Sequence, residues 1–370
     1  MRRISKKIGL ILLVAVGIMV LFLSGLALYL SRIRVADIKK QAEHIGVLHT
    51  LYDKLYVPVE EQKFVNFDLA DNSLRLNEIQ LLATHNSYKK MGSAIPKFLV
   101  GLVDRAEAKA MKYEYNSLTD QLNHGVRSFE LDLRCRAGDL EVIHAPLADN
   151  SSTCPRFDLA LEEILLWSEH NPGHIPLLFL MELKGDWMFL DPASCDFTGA
   201  ELALIDGLIK EYFGEKLFSP GDMVAPGETL NQAVRKKGWP RLKELRGKVI
   251  FILHPGEYTD CYVDLDPSFA DMAMFPAAQD TALENSYASF IVHNEPRVKT
   301  INELVSKNYI VRTRLDSGLA IDENRFEKGL ASGAQILTTD YGPNHNFEHT
   351  DYVSYLDDQY LVIANSYLQD

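Results

Sequence analysis

Leu81-Leu82-Ala83-Thr84-His85-Asn86-Ser87-Tyr88 opens the stretch that decides the fold; Ser128-Phe129-Glu130-Leu131-Asp132-Leu133-Arg134 continues it and Val142-Ile143-His144 closes it. Each run is apolar and ends in groups that titrate or bind a cation. Apolar runs of about four to eight residues suit strands buried on both faces, as in a parallel sheet. Polar groups where such strands end are typical of a barrel mouth. Two histidines with carboxylate and amide oxygens in one such stretch point to phosphodiester chemistry assisted by a hard metal.

Working outward, strand-like runs recur at Ile79–Ala83, Arg127–Asp132, Leu177–Glu182, Val249–Leu253, Ala288–Val292, Tyr309–Arg314 and Gln335–Thr339. Amphipathic stretches alternate with them at Phe157–His170, Ala200–Phe213, Asn231–Leu245, Val298–Lys307 and Asp322–Ala331. Strands alternating with helices predict a mostly parallel α/β sheet, and this many units fit a closed or nearly closed (β/α)8 barrel. The formal net charge of −13 excludes nucleic acid as a partner, because phosphate backbones are bound by basic surfaces. No phosphate-binding loop, dinucleotide-type glycine motif, G-x-S-x-G elbow or C-x-x-C pair occurs.

The amino-terminal segment is different in kind. Ile8 to Leu30 carries no charge, and about 20 apolar residues suffice to cross a bilayer as a helix. The run is longer than the apolar region of a signal peptide, so it reads as an uncleaved anchor. Basic residues flank it on both sides, Arg2, Arg3, Lys6 and Lys7 before and Arg32, Arg34, Lys39 and Lys40 after. Charge therefore gives little orientation. With so short a segment ahead of the span, the amino terminus is expected to stay cytoplasmic and the body to be exported, to periplasm or cell exterior. Beyond it, Ile38, Ala42, Ile45, Leu48, Tyr52 and Leu55 recur at helical spacing. That stripe suits a stalk or a homodimerising helix, and equally a helix packed on the domain beside it. The expected division is an anchor over 1–31, a helical stalk and linker over 32–75 and a barrel over 76–370.

Four cysteines fit an oxidising compartment. Cys135 and Cys154 bracket His144, and a bridge between them would close a ring of about 20 residues worth roughly 3 kcal/mol in a chain-entropy account; four reduced, buried cysteines are the alternative, and sequence alone does not fix the pairing. Cys195 with Cys261 would then be the second pair.

Glu130 and Asp132 lie two apart on a strand, so their carboxylates share a face while Phe129, Leu131 and Leu133 take the other. Turned inward, the two would repel each other unless a cation compensates them. Asn86 and Glu182 complete an all-oxygen set that suits Ca2+ over Mg2+ and both over Zn2+. His85 and His144 stand at strand ends beside these ligands and are the candidates for proton transfer. Lys184, Arg312 and Arg314 could clamp an anionic substrate or instead pair with the mouth's carboxylates.

At these residues the sequence resembles the phosphatidylinositol-specific phospholipase C superfamily of phosphodiesterases, and most closely its calcium-dependent branch. The resemblance is carried by Thr84-His85-Asn86-Ser87-Tyr88, Phe129-Glu130-Leu131-Asp132, Ile143-His144 and Met181-Glu182-Leu183-Lys184. Arg312-Thr313-Arg314-Leu315-Asp316 and the run Ala331 to Tyr341 support it. It implies a distorted TIM barrel, with His85 and His144 as acid/base pair and Ca2+ held by Asn86, Glu130, Asp132 and Glu182. It further implies cleavage of a membrane inositol phospholipid to diacylglycerol and a cyclic inositol phosphate. Two departures stand out: the anchor, and Leu315 where a small residue is expected. A glycerophosphodiester phosphodiesterase or phospholipase D-like relative is the alternative enzyme, although Asn86 after the first histidine argues against it. A non-catalytic tethered barrel that binds an anionic headgroup is the third reading.

Overall fold

The computed structural model describes residues 2–71, 73–92, 94–103, 105–110, 112–146, 149–347 and 350–368. Met1 of the expected anchor and the last two residues of the expected barrel domain lie outside them. Helix α1 (Arg2–Tyr52) is followed by strand β1 (Ile79–Thr84), then by α2 (Ala94–Val103), α3 (Arg105–Ala110), short strand β2 (Tyr113–Tyr115) and α4 (Leu118–Asn123). Strand β3 (Ser128–Arg136) turns into β4 (Asp139–Val142), and α5 (Phe157–His170) leads to β5 (Leu177–Leu183). Then come β6 (Ser194–Cys195), α6 (Gly199–Phe213), α7 (Leu230–Lys237), α8 (Leu242–Leu245), β7 (Val249–Leu253), α9 (Thr259–Val263) and β8 (Met274–Gln279). The chain closes with β9 (Phe290–Val292), α10 (Val298–Val305), β10 (Ile310–Arg314), α11 (Glu323–Ala331), β11 (Ile336–Thr339), β12 (His345–Phe347) and β13 (Val362–Ala364).

Strands β1, β3, β5, β7, β8, β9, β10 and β11 pair in parallel in that order, and β11 returns to β1 to close a barrel. The closure is distorted. Strands β1 and β3 meet through only Ala83↔Ser128 and Thr84↔Phe129, while β13 runs antiparallel against the first half of β1. Strand β8 reaches β9 without an intervening helix, so one β/α unit is incomplete. Pairing register also sets the packing. Phe129, Phe179 and Phe251 are neighbours across β3, β5 and β7, stacking at 5.0 and 5.4 Å, and Phe213 of α6 lies 5.3 Å from Phe251. That aromatic ladder faces the helical layer, so alternate residues such as Glu130 face the barrel interior.

Within the barrel, three sequence-based expectations change. Strand β8 was not anticipated, because Pro276 lacks an amide donor and marks a run as edge or non-strand; here it sits inside the sheet opposite Leu253. The single helix expected over Asn231–Leu245 is two helices, since Gly238 ends α7 at φ +68° and Trp239-Pro240 follows. The cysteine pairing also differs. The bridge is Cys135–Cys195, whose Cα atoms face each other on β3 and β6, leaving Cys154 buried and Cys261 exposed as thiols.

Helix α1 is continuous from the apolar run into the flank of the barrel. Its buried side chains are Leu30, Asp37, Gln41, Ile45, Leu48 and Tyr52, more polar than expected, while Leu55 is 99% exposed. The polar members are matched: Asp37 pairs with Lys90, and Gln41 exchanges two hydrogen bonds with the Arg156 backbone at 2.9 and 2.8 Å. Ile45, Leu48 and Tyr52 pack on Leu166 of α5, and Tyr52 stacks on His170 at 4.1 Å.

His174, between α5 and β5, gives a stability prediction. Its Nδ1 donates to the Ile175 carbonyl at 2.6 Å and its Nε2 accepts from Ser168 Oγ at 2.8 Å, which fixes a neutral ring. Burial pulls it down to about 4, against 6.5 in an unfolded chain. The unfolded state therefore binds more protons as pH falls through 6.5, and stability is lost progressively until about pH 4. At about 1.4 kcal/mol per unit, the full loss is on the order of 3 kcal/mol. Melting temperatures of the protein and of His174→Gln are expected to diverge at pH 7 and converge towards pH 4; parallel curves would contradict this.

Candidate active site

The strands are parallel, so every side chain just beyond their carboxyl ends collects at one mouth. Strand β3 brings Glu130 and Asp132 there on one face, and its register with β5 sets Asp132 opposite Glu182. One oxygen from each of the three carboxylates lies within 4.8 Å of the others. Asp132 is fully buried; its Oδ2 accepts from Tyr88 Oη at 2.8 Å, whereas Oδ1 has no hydrogen-bond partner. Burial pushes Asp132 up to about 6; Lys184 opposes the shift and Glu182 adds to it. Lys184 Nζ stands 2.6 Å from Glu182 and 3.6 Å from Asp132. Glu130 behaves oppositely. Burial would raise it, but Arg312 and His85 outweigh burial and hold it at about 2.

This donor set fits a hard cation. Calcium takes oxygen ligands at about 2.3–2.6 Å, so two oxygens on one ion stand no more than about 5 Å apart. The cluster is of that size, is all oxygen, and includes a buried carboxylate oxygen without a donor. Asn86 adjoins it: Tyr88 Oη lies 3.5 Å from the Asn86 amide oxygen while bonding Asp132. Asn86 adopts φ +47°, a left-handed conformation that asparagine tolerates better than most side chains.

The two histidines line one cavity of about 180 Å³, shared with Asn86, Lys89, Arg314 and Asp340. Each ring has a carboxylate behind its Nδ1. His85 Nδ1 donates to Asp340 at 2.6 Å, leaving Nε2 at 3.2 Å from Arg314 and 3.5 Å from Glu130. His144 Nδ1 lies 3.3 Å from Asp149, which also pairs with buried Lys89. Arg134 fixes the His144 backbone by donating to its carbonyl at 2.9 and 2.7 Å. Burial would raise Asp340, but His85 and Arg314 keep it well below the usual carboxylate range. Burial together with Asp340 pushes its neighbour Asp316 up.

All nine residues singled out from the sequence stand at this mouth, in differing states. Arg314 lines the cavity and bonds Asp340 at 3.0 Å. Arg312 is buried and engaged with Glu130, with Thr338 at 3.0 Å and with Asn294. Lys184 is held between the carboxylates. Sequence reasoning left Asp340 without a role and overlooked Tyr88, Lys89 and Asp149. Asp340 had a signal, being the first residue after β11, but its partner His85 is 255 positions away.

Comparison with known proteins places this geometry. The family model for Ca2+-dependent phosphoinositide phospholipase C matches residues 74–136 and 134–366. A calcium-dependent phosphoinositol-specific phospholipase C from a Pseudomonas species, in a myoinositol complex, shares the fold at TM-score 0.59 and 18% identity, over 82% of this chain and 99% of that one. The Ca2+-dependent phosphatidylinositol-specific phospholipase C of Streptomyces antibioticus superposes at TM-score 0.55 with 19% identity, over 72% of this chain and 95% of its own. No curated protein matches in sequence. Since the family match runs through nearly the whole barrel and the mouth carries an oxygen cluster of calcium's size, this chain belongs to the Ca2+-dependent phosphoinositide phospholipase C family of phosphodiester hydrolases.

Proposed function

We propose that this protein is a membrane-anchored phosphodiesterase that cleaves phosphatidylinositol-type lipids to diacylglycerol and an inositol cyclic phosphate. The observation that carries the reading is the pair of imidazoles on one cavity, each with a carboxylate behind it, beside the oxygen cluster. The inositol 2-hydroxyl attacks phosphorus while His85 Nε2 takes its proton. The P–O bond to diacylglycerol breaks, and His144 gives its proton to the departing oxygen. Asp340 holds the His85 tautomer that leaves Nε2 free of its own proton, whereas His144 begins the step as the protonated ring, with Asp149 3.3 Å from its Nδ1 to balance that charge. Glu130, Asp132, Glu182 and Asn86 would hold Ca2+, and the bound ion would supply electrostatic stabilisation of phosphoryl charge and a lowered pKa for the attacking hydroxyl. Arg314 is the cation that reaches the phosphate or ring hydroxyls; Lys184 and Arg312 act on substrate through the carboxylates they neutralise.

The proposed division keeps an anchor over 1–31, a helical connector over 32–75 and the barrel over 76–370. One helix is long and apolar enough to cross a membrane, and the Cys135–Cys195 bridge supports an oxidising, exported compartment for the barrel. Phosphorus NMR of phosphatidylinositol incubated with the full chain tests the chemistry. A cyclic phosphodiester that disappears with chelator is expected. A monoester or free headgroup without any cyclic product would favour the glycerophosphodiesterase or phospholipase D-like alternative, and no reaction the headgroup-binding one.

A further inference from the structure

The direction in which α1 meets the barrel says where the membrane lies. Helix α5 carries the chain from the mouth back to the start of β5, so it runs from the mouth end to the opposite end. Along α1, Gln41 bonds Arg156 just before α5, His44 reaches Glu163, and Tyr52 stacks on His170 in the last turn of α5. The two helices therefore point the same way. The amino-terminal part of α1, with the charge-free run Ile8 to Leu30, projects past the mouth and not past the closed end. Its contacts there are with the segments that carry the site. Leu30 accepts from Asn150 at 3.2 Å, next to Asp149; Arg34 pairs with Glu141, and Asp37 with Lys90 next to Lys89.

Resting on the anchor reading above, we infer that the catalytic mouth faces the leaflet that α1 crosses, so that the enzyme acts in cis on lipids of its own membrane. At 1.5 Å per residue, Leu30 stands roughly 16 Å along the helix from Gln41. The mouth loops fill that distance, since Leu30 is itself buried with its carbonyl accepting from Asn150, and the headgroup layer of about 5–7 Å begins beyond it. Large apolar side chains on those mouth segments are exposed as a leaflet-facing rim requires: Trp187 at 54% and Phe189 at 77% after β5, Phe98 at 66% and Leu102 at 69% on α2. A bilayer over the mouth would cover them.

Trp187 reports the arrangement without any catalysis, because the other two tryptophans, Trp167 and Trp239, are buried. The full chain is reconstituted in phosphatidylcholine vesicles with brominated or ordinary acyl chains, and Trp187→Phe supplies the blank. Quenching of the Trp187 emission by the brominated chains, with protection from aqueous iodide, is the expected result. Emission indifferent to bromine and quenched by iodide would overturn the inference. In a second arm, phosphatidylinositol is placed in the host vesicles or in separate ones at equal total lipid. The cis rate should exceed the trans rate on the order of a hundredfold; equal rates would also overturn it. Release of the chain by alkaline carbonate would instead sink the anchor reading itself. Bromine quenching with neither lipid pool hydrolysed would sink the proposed chemistry and leave the orientation standing.

Discussion

His85→Ala is expected to lower kcat on phosphatidylinositol by roughly 10³–10⁴-fold with a much smaller change in KM. A placed proton carrier contributes on the order of 10²–10⁴, and His85 sits in the upper part of that range because it is built into a network. Its Nδ1 is bonded to Asp340, Asp340 is bonded by Arg314, and Arg314 reaches the His85 Nε2. Removing the ring therefore deletes the base and frees Arg314 to settle on Asp340 alone. Asp340→Asn separates the two effects. The amide can donate to Nδ1 and so favours the tautomer with its proton on Nε2, which is the wrong one for a base; exchanging the carboxylate behind a catalytic histidine in this way has cost about 10⁴ elsewhere. Steady-state kinetics with a folding check by near-ultraviolet circular dichroism decides the matter. A folded His85→Ala protein within tenfold of the parent would remove His85 from the reaction.

Asp132→Asn is expected to weaken Ca2+ by more than about a hundredfold, since losing a ligand should exceed the 10–100-fold loss seen when an outer partner is removed. Calorimetric titration of the chelator-treated protein measures it. The same change should act with opposite sign on the ion-free fold. Asp132 is fully buried beside Glu130 and Glu182, so a neutral side chain relieves repulsion. The amide oxygen can still accept from Tyr88, and Lys184 keeps its 2.6 Å contact with Glu182. In chelator the variant should melt at or above the parent temperature; with excess Ca2+ it should melt below it. A variant that melts lower in both conditions would show Asp132 to be a structural residue and not a ligand.

Much of this site was legible because strand geometry is simple. A period of two put Glu130 and Asp132 on one face, and strands that end together gathered their distal residues at one mouth. Asn86, Glu182 and His85 follow from these rules; His144 does not, because it follows β4, which folds back antiparallel on the extended end of β3. What escaped depends on contacts between distant positions. The Asp340–His85 bond and the Cys135–Cys195 bridge join residues 255 and 60 apart, and no local pattern announces either. Strand β8 was hidden for another reason. Met274-Phe275-Pro276-Ala277-Ala278-Gln279 has poor strand propensity, and the neighbouring strands supply the order that its own residues do not. The stripe on α1 was misjudged because Asp37 and Gln41 are buried by partners, Lys90 and Arg156, that only the tertiary fold brings near.

Cys135 bonds to Cys195 although Cys154 comes between them in the chain. Synthesis proceeds from the amino terminus, so Cys154 emerges well before Cys195 and is the first thiol Cys135 meets. Were those two to pair first, the mature bridge would be reached by exchange. Once folding buries Cys154, burial raises its thiol pKa, and too little thiolate is left to attack the finished bond. A host supplying disulfide isomerase activity while the nascent barrel is still open is therefore expected to raise the yield of correctly bridged protein, and Cys154→Ser is expected to remove that dependence.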